Sequence, residues 1–247
     1  MNLSVDGIVL SSVPYGKNSK ALTILTASRG KISAVARGCV SLKSPLHACV
    51  NLFTYSAMEL FQNGGKYYVN TADIKELFFP LYSDIEKLSL AQYFLEVCSF
   101  VAQEESEETE LLRLLLNTLY KLCNDDDCDL IKAVFEIRLC EVLGVMPDIE
   151  GCALCGADTG GFISLEDGVL LCENCAGASP TRVFVNSSAR AALTHIFFSP
   201  VGKIFSFKLA GEGREQLMNF AEKYLFAQTG LKSKCLDFYR SVKKGTV

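Results

Sequence analysis

Tryptophan is absent from this chain of 247 residues, and histidine is nearly so, with only His47 and His195. This scarcity excludes most histidine-based catalysis and leaves few histidine ligands for a metal ion. His47 is followed by Ala48-Cys49 and His195 by Ile196-Phe197, so the H-x-E segment of a zinc deaminase is also missing.

The usual motifs of nucleotide-binding and hydrolase sites are missing as well. The chain has no GxxxxGK[ST] phosphate loop, no GxGxxG after a strand, no HExxH and no GxSxG. We therefore expect no catalytic residue, no small-molecule substrate and no enzymatic activity. An enzyme whose site follows none of these patterns is kept as a third possibility.

Long apolar runs are also lacking. No stretch approaches ~20 continuous apolar residues, so a membrane-spanning helix is not expected. The first ten residues lack the basic start of a secretory signal and include Asp6. We therefore expect a cytoplasmic protein with no membrane partner. In a reducing compartment, the eleven cysteines are more typical of a metal site than of a disulfide framework.

Charge is distributed unevenly along the chain. The net charge is −4, but residues 1–80 carry eight Lys or Arg against four Asp or Glu, a sum of +4. The remaining 167 residues sum to −8. Such asymmetry predicts two domains with different partners, which we place at 1–80 and 81–247.

The first 80 residues have the apolar pattern of β-strands. In 31–37, for example, Ile32, Ala34 and Ala36 alternate with residues of the opposite face, a period of two. Gly-rich turns separate five such segments, and five short strands in about 80 residues favour an OB-fold barrel. The predicted strands cover residues 5–13, 21–26, 31–37, 50–61 and 67–78.

Beyond residue 84 the apolar spacing becomes helical. The predicted helices cover residues 84–101, 107–122, 130–143, 187–198 and 213–228, followed by a short basic tail. A Cys- and Gly-rich segment, 148–180, interrupts them. The predicted fold class is α+β: a five-stranded OB-fold barrel followed by an α-helical domain with an embedded four-cysteine zinc finger.

The most specific motif is a pair of CxxC sequences formed by Cys152, Cys155, Cys172 and Cys175. Two such pairs at this spacing present four thiolates to a tetrahedral zinc ion. Four protein ligands leave no open coordination position, so the predicted zinc is structural. A metal-free relic and redox chemistry are the alternatives, although no thioredoxin-like βαβ pattern accompanies the motif.

Basic residues cluster at the predicted strand ends and loops of the barrel. There they are expected to follow the phosphates of DNA or RNA, with Tyr15, Phe53, Tyr67 and Tyr68 offering stacking faces. The alternative is that the cations only confer solubility and the aromatic rings belong to the core. The predicted DNA-binding residues are Lys17, Lys20, Arg29, Lys31, Arg37 and Lys43.

Short segments in a fixed order along most of the chain resemble the RecO family of bacterial DNA repair proteins. The N-terminal ones are Gly7-Ile8-Val9-Leu10, Tyr15-Gly16, Leu22-Thr23-Ile24-Leu25-Thr26, Gly30-Lys31, Ala36-Arg37-Gly38 and Lys43-Ser44. The C-terminal ones are Phe135-Glu136, Leu143-Gly144, Pro147, Cys152-Ala153-Leu154-Cys155-Gly156, Leu171-Cys172 and Leu231-Lys232-Ser233. The chain departs from the family pattern at Lys17, where an acidic residue is common, and at Cys39-Val40, where a basic pair is common.

This resemblance implies a repair and recombination mediator of the RecF pathway that associates with the nucleoid. It implies binding of single- and double-stranded DNA and annealing of complementary strands. It further implies recombinase loading with the partner RecR on strands coated by single-stranded DNA-binding protein. The rival interpretation is a zinc-ribbon and OB-fold protein that binds RNA in transcription or translation.

The resemblance also implies that the helical domain receives the acidic, Phe-ended tail of single-stranded DNA-binding protein. Such a tail needs an apolar slot rimmed by cations. The predicted helix 130–143 offers Lys132 and Arg138 beside Phe135 and Leu139. The alternative is that the two apolar residues are core and the two cations are solvated.

Overall fold

A computed structural model of the chain describes residues 2–158, 161–177 and 181–245. Its contacts define two compact units. The barrel unit comprises the residues up to Asn124 and those from Ser233 onward, and the cysteine unit is Asp125–Lys232. These units are defined by contacts between residues, and contacts do not test whether 1–80 and 81–247 fold as separate domains. That division of the chain therefore stays a prediction.

Five strands of the barrel unit close into a barrel, which confirms the predicted five-stranded fold. Neighbouring strands pair in the order β1-β2-β3-β5-β4, with β4 returning to β1. The β3–β5 pair is parallel and the others are antiparallel. The strands are β1 Asn2–Pro14, β2 Ser19–Thr26, β3 Gly30–Arg37, β4 Thr54–Asn63 and β5 Lys66–Leu77.

Alternation along the strands places one set of side chains inside the barrel. Ile24 of β2, Ile32 and Ala34 of β3, and Met58 and Leu60 of β4 belong to one buried cluster. Because successive side chains of a strand point to opposite faces, the residues between them face outward. That outer face carries polar and aromatic side chains.

Within the described ranges, six α-helices follow the barrel strands, and short 3₁₀ helices lie at Phe79–Ser83 and Val201–Lys203. They are α1 Ile85–Val101, α2 Thr109–Asn124, α3 Cys128–Val142, α4 Ser187–Phe198, α5 Gly211–Thr229 and α6 Lys234–Lys243. The first five lie within three residues of the predicted helices. No helix among the described residues is long and apolar enough to cross a bilayer.

The segment after residue 231 was predicted as a basic tail, and the structure corrects this. Ser233 accepts a hydrogen bond from the backbone N–H of Leu236 and so caps α6. Leu236 and Tyr239 are buried, and α6 packs on α1. Two apolar residues one turn apart anchor the helix, a signal too short to distinguish from a solvated tail in the sequence.

The cysteine unit combines α3, α4 and α5 with a small sheet. Its three strands pair in the order β7-β6-β8, all antiparallel, and β6 is the central strand. The strands are β6 Gly161–Ser164, β7 Leu170–Leu171 and β8 Arg182–Val185. The sheet lies between and beside the two CxxC motifs in the chain and therefore positions the candidate metal centre.

Candidate metal centre and nucleic-acid interface

The four cysteines of the two CxxC motifs lie together in the cysteine unit. The Sγ atoms of Cys152, Cys155, Cys172 and Cys175 all lie within 4.8 Å of one another, and those of Cys155 and Cys172 are 3.7 Å apart. Tetrahedral zinc with Zn–S bonds of about 2.3 Å requires S–S separations of about 3.8 Å. The sulfurs are therefore placed to hold one metal ion, and their spacing is compatible with zinc.

Local turns bring each pair of cysteines together. In the first motif the N–H of Gly156 donates to the carbonyl of Cys152 at 2.8 Å, and in the second the N–H of Cys175 donates to that of Cys172 at 3.0 Å. Gly156 has a φ of +73°, a left-handed conformation that favours glycine. These turns aim both thiols of a motif to the same side.

The electrostatics of the cluster favour a cation at its centre. Hydrogen bonds from backbone groups, first that of Cys172, lower the pKa of the Cys152 thiol to about 6. The neighbouring thiols, first that of Cys172, raise the pKa of Cys175 to about 12. Four thiolates at this separation repel one another, so full ionisation at neutral pH requires a bound cation.

Two arginines that sequence reasoning missed hold the segments around the cysteines. Arg190 of α4 donates from Nε to the carbonyl of Ile149 at 2.9 Å and from Nη2 to that of Glu150 at 2.5 Å. Its Nη2 also lies 2.6 Å from Oδ1 of Asp158. The guanidinium thus ties together the chain on both sides of the first CxxC motif. No sequence pattern marks this role, since its partners are mainly backbone carbonyls.

Arg182 of β8 plays a corresponding part at the second motif. Its Nη1 donates to the carbonyl of Ala176, the residue after Cys175, at 2.7 Å. Its guanidinium carbon lies 4.6 Å from the centre of the Phe162 ring in β6. Both arginines belong to one continuous stretch, β8 followed by α4, which therefore supports both CxxC motifs.

The six basic residues predicted to bind DNA divide between the two ends of the β2–β3 ladder. Ser19 pairs with Arg37 at one end and Thr26 pairs with Gly30 at the other. Seven residue steps along a strand correspond to roughly 23 Å. Lys17, Lys20 and Arg37 lie at the first end, which we call the basic end, whereas Arg29 and Lys31 lie at the second. Lys43 is exposed in the loop after β3.

At the second end, backbone bonds join the β2–β3 turn to the acidic loop between α1 and α2. Gly30 has a φ of +59°, and a Cβ there would lie 2.1 Å from the carbonyl oxygen of Gln103, so only glycine fits. The N–H of Glu105 donates to the carbonyl of Arg29 at 3.1 Å. Acidic residues of this loop therefore lie beside Arg29, which makes this end less suited to phosphate than the basic end.

The basic end combines cations with aromatic rings. The guanidinium of Arg37 lies 4.2 Å from the centre of the Tyr68 ring, and both residues lie on the outer side of the barrel wall. Tyr68 in turn stacks on Phe61, with ring centres 5.1 Å apart. Phe53, also predicted as a stacking face, is fully buried in the core and cannot meet a base.

A groove crosses the outer face of β1, β2 and β3 near this end. It has a volume of about 270 Å³, and Tyr15 from the β1–β2 loop, Lys66 and Tyr67 lie along it with Thr23 and Ser33 of the strands. OB-folds bind oligonucleotides on the β2–β3 face and the adjoining β1–β2 and β4–β5 loops. Lys66 was missed as a site residue, although its position after the Gly64-Gly65 turn marks it as a loop cation. We call the groove lined by these residues the barrel groove.

The four residues of α3 predicted to form a peptide slot lie inside the cysteine unit. Phe135 and Leu139 are fully buried. Nζ of Lys132 lies 2.8 Å from Oε1 of Glu136 and 2.8 Å from Oε2 of Glu222. The expected exposed slot is therefore not seen at these four residues. As the alternative predicted, the two apolar residues are core, but the two cations are buried and not solvated.

Arg138 is buried for a different reason, because it binds the carboxyl end of α4. Its Nη1 donates to the carbonyl of Ile196 at 3.2 Å and to that of Phe197. A cation is favoured at this end of a helix, where carbonyl groups lack partners. A peptide-binding role for the four α3 residues stays a prediction, and it requires that α3 first be uncovered.

Comparison with known proteins gives matches along almost the whole chain. The family model described as "Recombination protein O N terminal" matches residues 1–78, and "Recombination protein O C terminal" matches residues 82–236. The chain is 32% identical over 246 residues to the DNA repair protein RecO of Acetivibrio thermocellus, covering 98% of both chains. The identity to RecO of Alkaliphilus metalliredigens is 30% over 228 residues, 91% of this chain and 93% of the relative.

Proposed function

The chain belongs to the RecO family of DNA repair proteins, and from this membership we propose that it is a repair and recombination mediator. It binds single- and double-stranded DNA and anneals complementary strands. Together with RecR it helps to load the recombinase on strands coated by single-stranded DNA-binding protein. It does so by binding and positioning DNA, without a catalytic residue.

The barrel groove is the observation that carries the DNA-binding part of this proposal. It lies on the face that OB-folds use, and it offers the half-exposed Tyr15 ring and the cation of Lys66, whereas Tyr67 packs against the barrel core. Arg37, Lys17 and Lys20 lie at the nearby strand ends, where they can follow phosphates. Lys43, in the loop after β3, remains a proposed DNA contact. Arg29 and Lys31 are weaker candidates, because they lie at the end of the ladder beside the acidic loop between α1 and α2.

Zinc is the metal that we propose for the four cysteines. The donor set of four thiols, their separation and the turns around them all fit a closed tetrahedral site. When bound, the ion cross-links the two CxxC motifs and supplies no reactive position. The protein's own residues, chiefly Arg190 and Arg182, orient the motifs toward each other.

A strand-annealing assay tests the function. Complementary oligonucleotides are coated with single-stranded DNA-binding protein, and the rate of duplex formation is measured with and without the full-length chain. We expect acceleration that depends on the basic end, so Lys17→Ala combined with Arg37→Ala should slow it. The exposed Arg113→Ala of α2 is the matched control and should leave it unchanged. No acceleration by the wild-type chain, together with no binding of either strand at low salt, would overturn the proposal.

The same oligonucleotide in DNA and RNA form separates the rival interpretation. A repair mediator should prefer or equally bind the DNA, whereas a transcription or translation factor should retain RNA against an excess of DNA. RecR and single-stranded DNA-binding protein are proposed partners. The proposal of these two partners rests on family membership and not on particular contact residues.

A further inference from the structure

A second cavity of the barrel unit lies apart from the barrel groove. It has a volume of about 550 Å³ and lies where β1 and β2 meet the loop before β4 and the 3₁₀ helix at Phe79–Ser83. We call it the aromatic slot. The residues that line it include Ser12, Lys20, Asn51, Leu52, Phe79 and Tyr82.

Two aromatic rings form one wall of the aromatic slot. Phe79 is 67% exposed and Tyr82 44% exposed, and their ring centres are 6.2 Å apart. Tyr82 is fixed, because its hydroxyl donates to the carbonyl of Leu52 at 2.9 Å and its ring packs edge-on against the buried Phe53. A ring already held in place loses little conformational freedom when a planar group stacks on it.

The charge of the aromatic slot suits a polyanion. Lys20 lies at its edge, with Nζ 3.2 Å from Oδ1 of Asn51, and no acidic residue is among the described residues that line it. An adjoining cavity shares Ser12 and Leu52 but is lined by Glu96, so it suits an anion less well. The aromatic slot therefore differs from the adjoining cavity in the charge of its described lining residues, which include a cation and no carboxylate and so suit a negatively charged nucleic acid.

Lys20 also links the aromatic slot to the basic end. It pairs with Ala36 across the β2–β3 ladder, one position from the Ser19–Arg37 pair. Successive residues of a strand face opposite sides, so Lys20 and Arg37 project from opposite faces of the ladder. The slot is thus linked to the proposed phosphate path only in having Lys20 at the same end of the ladder.

A serine that lines the aromatic slot has a hydroxyl group without a hydrogen-bond partner among the described residues. Oγ of Ser12 is shielded from solvent and has no hydrogen-bond partner within the described part of the chain. Leaving such a group unsatisfied is unfavourable, so rotation of the Ser12 side chain toward a ligand with a polar edge is favoured. Purine and pyrimidine bases have a planar face and a polar edge in one molecule.

We propose that the aromatic slot binds an unstacked nucleobase of single-stranded DNA, with Phe79 as the stacking ring and Ser12 at the base edge. This inference rests on the proposed DNA-binding function and deepens it. Duplex DNA keeps its bases inside the stack, so the slot acts on single strands only. It gives the protein a means to hold bases of a single strand before annealing.

Phe79→Ala in the full-length chain tests the proposal by fluorescence anisotropy. Stacking of one base on an aromatic ring predicts a loss of single-strand affinity of about tenfold. The salt slope should stay the same, because the phosphate contacts remain, and duplex affinity should not change. Phe198→Ala is the matched control, since this ring is 66% exposed at the end of α4 in the cysteine unit.

An oligonucleotide of abasic sugar-phosphate units supplies the second arm. Wild-type protein and Phe79→Ala should bind this strand equally tightly, because it offers no base that the ring at position 79 could stack on. Phe79→Leu, which keeps an apolar side chain, serves if Phe79→Ala lowers the melting temperature. If these Phe79 variants bind the normal strand as tightly as wild type, the aromatic slot is not a base site. If wild type binds no single strand, the proposed function fails instead.

Discussion

Nζ of Lys31 donates a hydrogen bond to the backbone carbonyl oxygen of Ser99, 2.8 Å away and two residues before the end of α1. A cation at this position satisfies a carbonyl of the last helical turn and interacts favourably with the helix dipole. Lys31 was predicted to bind phosphate. Its contact gives it a structural role at the opposite end of the β2–β3 ladder from Arg37.

The first prediction distinguishes the roles of Lys31 and Arg37, both of which the sequence predicted to bind DNA. Lys31→Ala should lower the free energy of unfolding by about 1 kcal/mol because the bond to α1 is lost. It should leave the salt dependence of DNA binding unchanged. Arg37→Ala should do the reverse, flattening the log–log salt slope on single strands by about 0.7 for its one phosphate contact.

Urea unfolding and anisotropy titrations at several salt concentrations measure both effects, with Arg113→Ala as control. A flattened slope for Lys31→Ala would place a phosphate contact at the α1 end of the ladder. An unchanged slope for Arg37→Ala would exclude a phosphate contact by this guanidinium.

Strand patterning predicted the barrel because it depends on local sequence. The alternation of Ile32, Ala34 and Ala36 is visible in any window of seven residues. The division of the basic residues could not be predicted in the same way. It depends on the register of β2 against β3 and on the loop that packs beside Gly30, which are long-range contacts.

The four α3 residues predicted to form a peptide slot also show that long-range contacts cannot be predicted from local sequence. Sequence spacing correctly placed Phe135 and Leu139 on one helix with Lys132 and Arg138 nearby. Apart from Glu136 on the same helix, the partners that bury the cations come from distant segments, Glu222 of α5 and the carboxyl end of α4. A single helical sequence does not reveal that other helices cover it on several sides.

The second prediction concerns metal content. Cys152→Ser or Cys175→Ser should remove stoichiometric zinc and lower the melting temperature, since ligand binding to the folded site is coupled to folding. Cys123→Ser, at a half-buried cysteine outside the cluster, is the matched control and should retain zinc. Metal analysis and melting curves measure this. Absence of metal from untreated protein, with a melting curve that a chelator does not change, would contradict it.

The third prediction concerns proton competition at the same cysteines. Neighbouring thiols raise the pKa of Cys175 to about 12, so at neutral pH zinc binding must displace protons. We therefore expect the apparent zinc affinity to fall as the pH is lowered from 8 to 6. Competition with a chromogenic chelator measures it, after correction for the chelator's own protonation. A constant corrected affinity would mean that the thiols are already ionised without metal.

The fourth prediction concerns Arg190, which ties the carbonyls of Ile149 and Glu150 to Asp158. Arg190→Ala should leave all four sulfur ligands in place but loosen the first CxxC motif. Loss of supporting hydrogen bonds around metal ligands typically lowers affinity about 10- to 100-fold. Chelator-driven zinc release should accelerate accordingly, while the absorption spectrum of the cobalt-substituted protein should still report four thiolates. Equal release rates for Arg190→Ala and Arg113→Ala would contradict this role.

The fifth prediction concerns pH and the ion pair between Asp127 and Arg214. Nη1 and Nη2 of Arg214 lie 2.6 Å and 2.5 Å from the two carboxylate oxygens of Asp127, which also caps α3. The hydrogen bonds from Arg214 lower the pKa of Asp127 below its usual value. A carboxylate whose folded-state pKa is lowered contributes stability above its unfolded pKa of about 3.9, and this contribution is lost as the pH falls through the folded-state value.

Asp127→Asn isolates the ion pair, because asparagine caps a helix about as well as aspartate. At pH 7 the variant should be less stable by about 1 kcal/mol, a modest figure because both side chains remain partly exposed to screening solvent. The difference from wild type should shrink below about pH 4, as Asp127 becomes protonated in the wild-type chain. Urea unfolding from pH 7 to pH 3 measures it, with Asp237→Asn as control, since the Asp237–Arg240 pair is largely exposed. A difference that stays constant over this range would show that the carboxylate charge does not stabilise the cysteine unit.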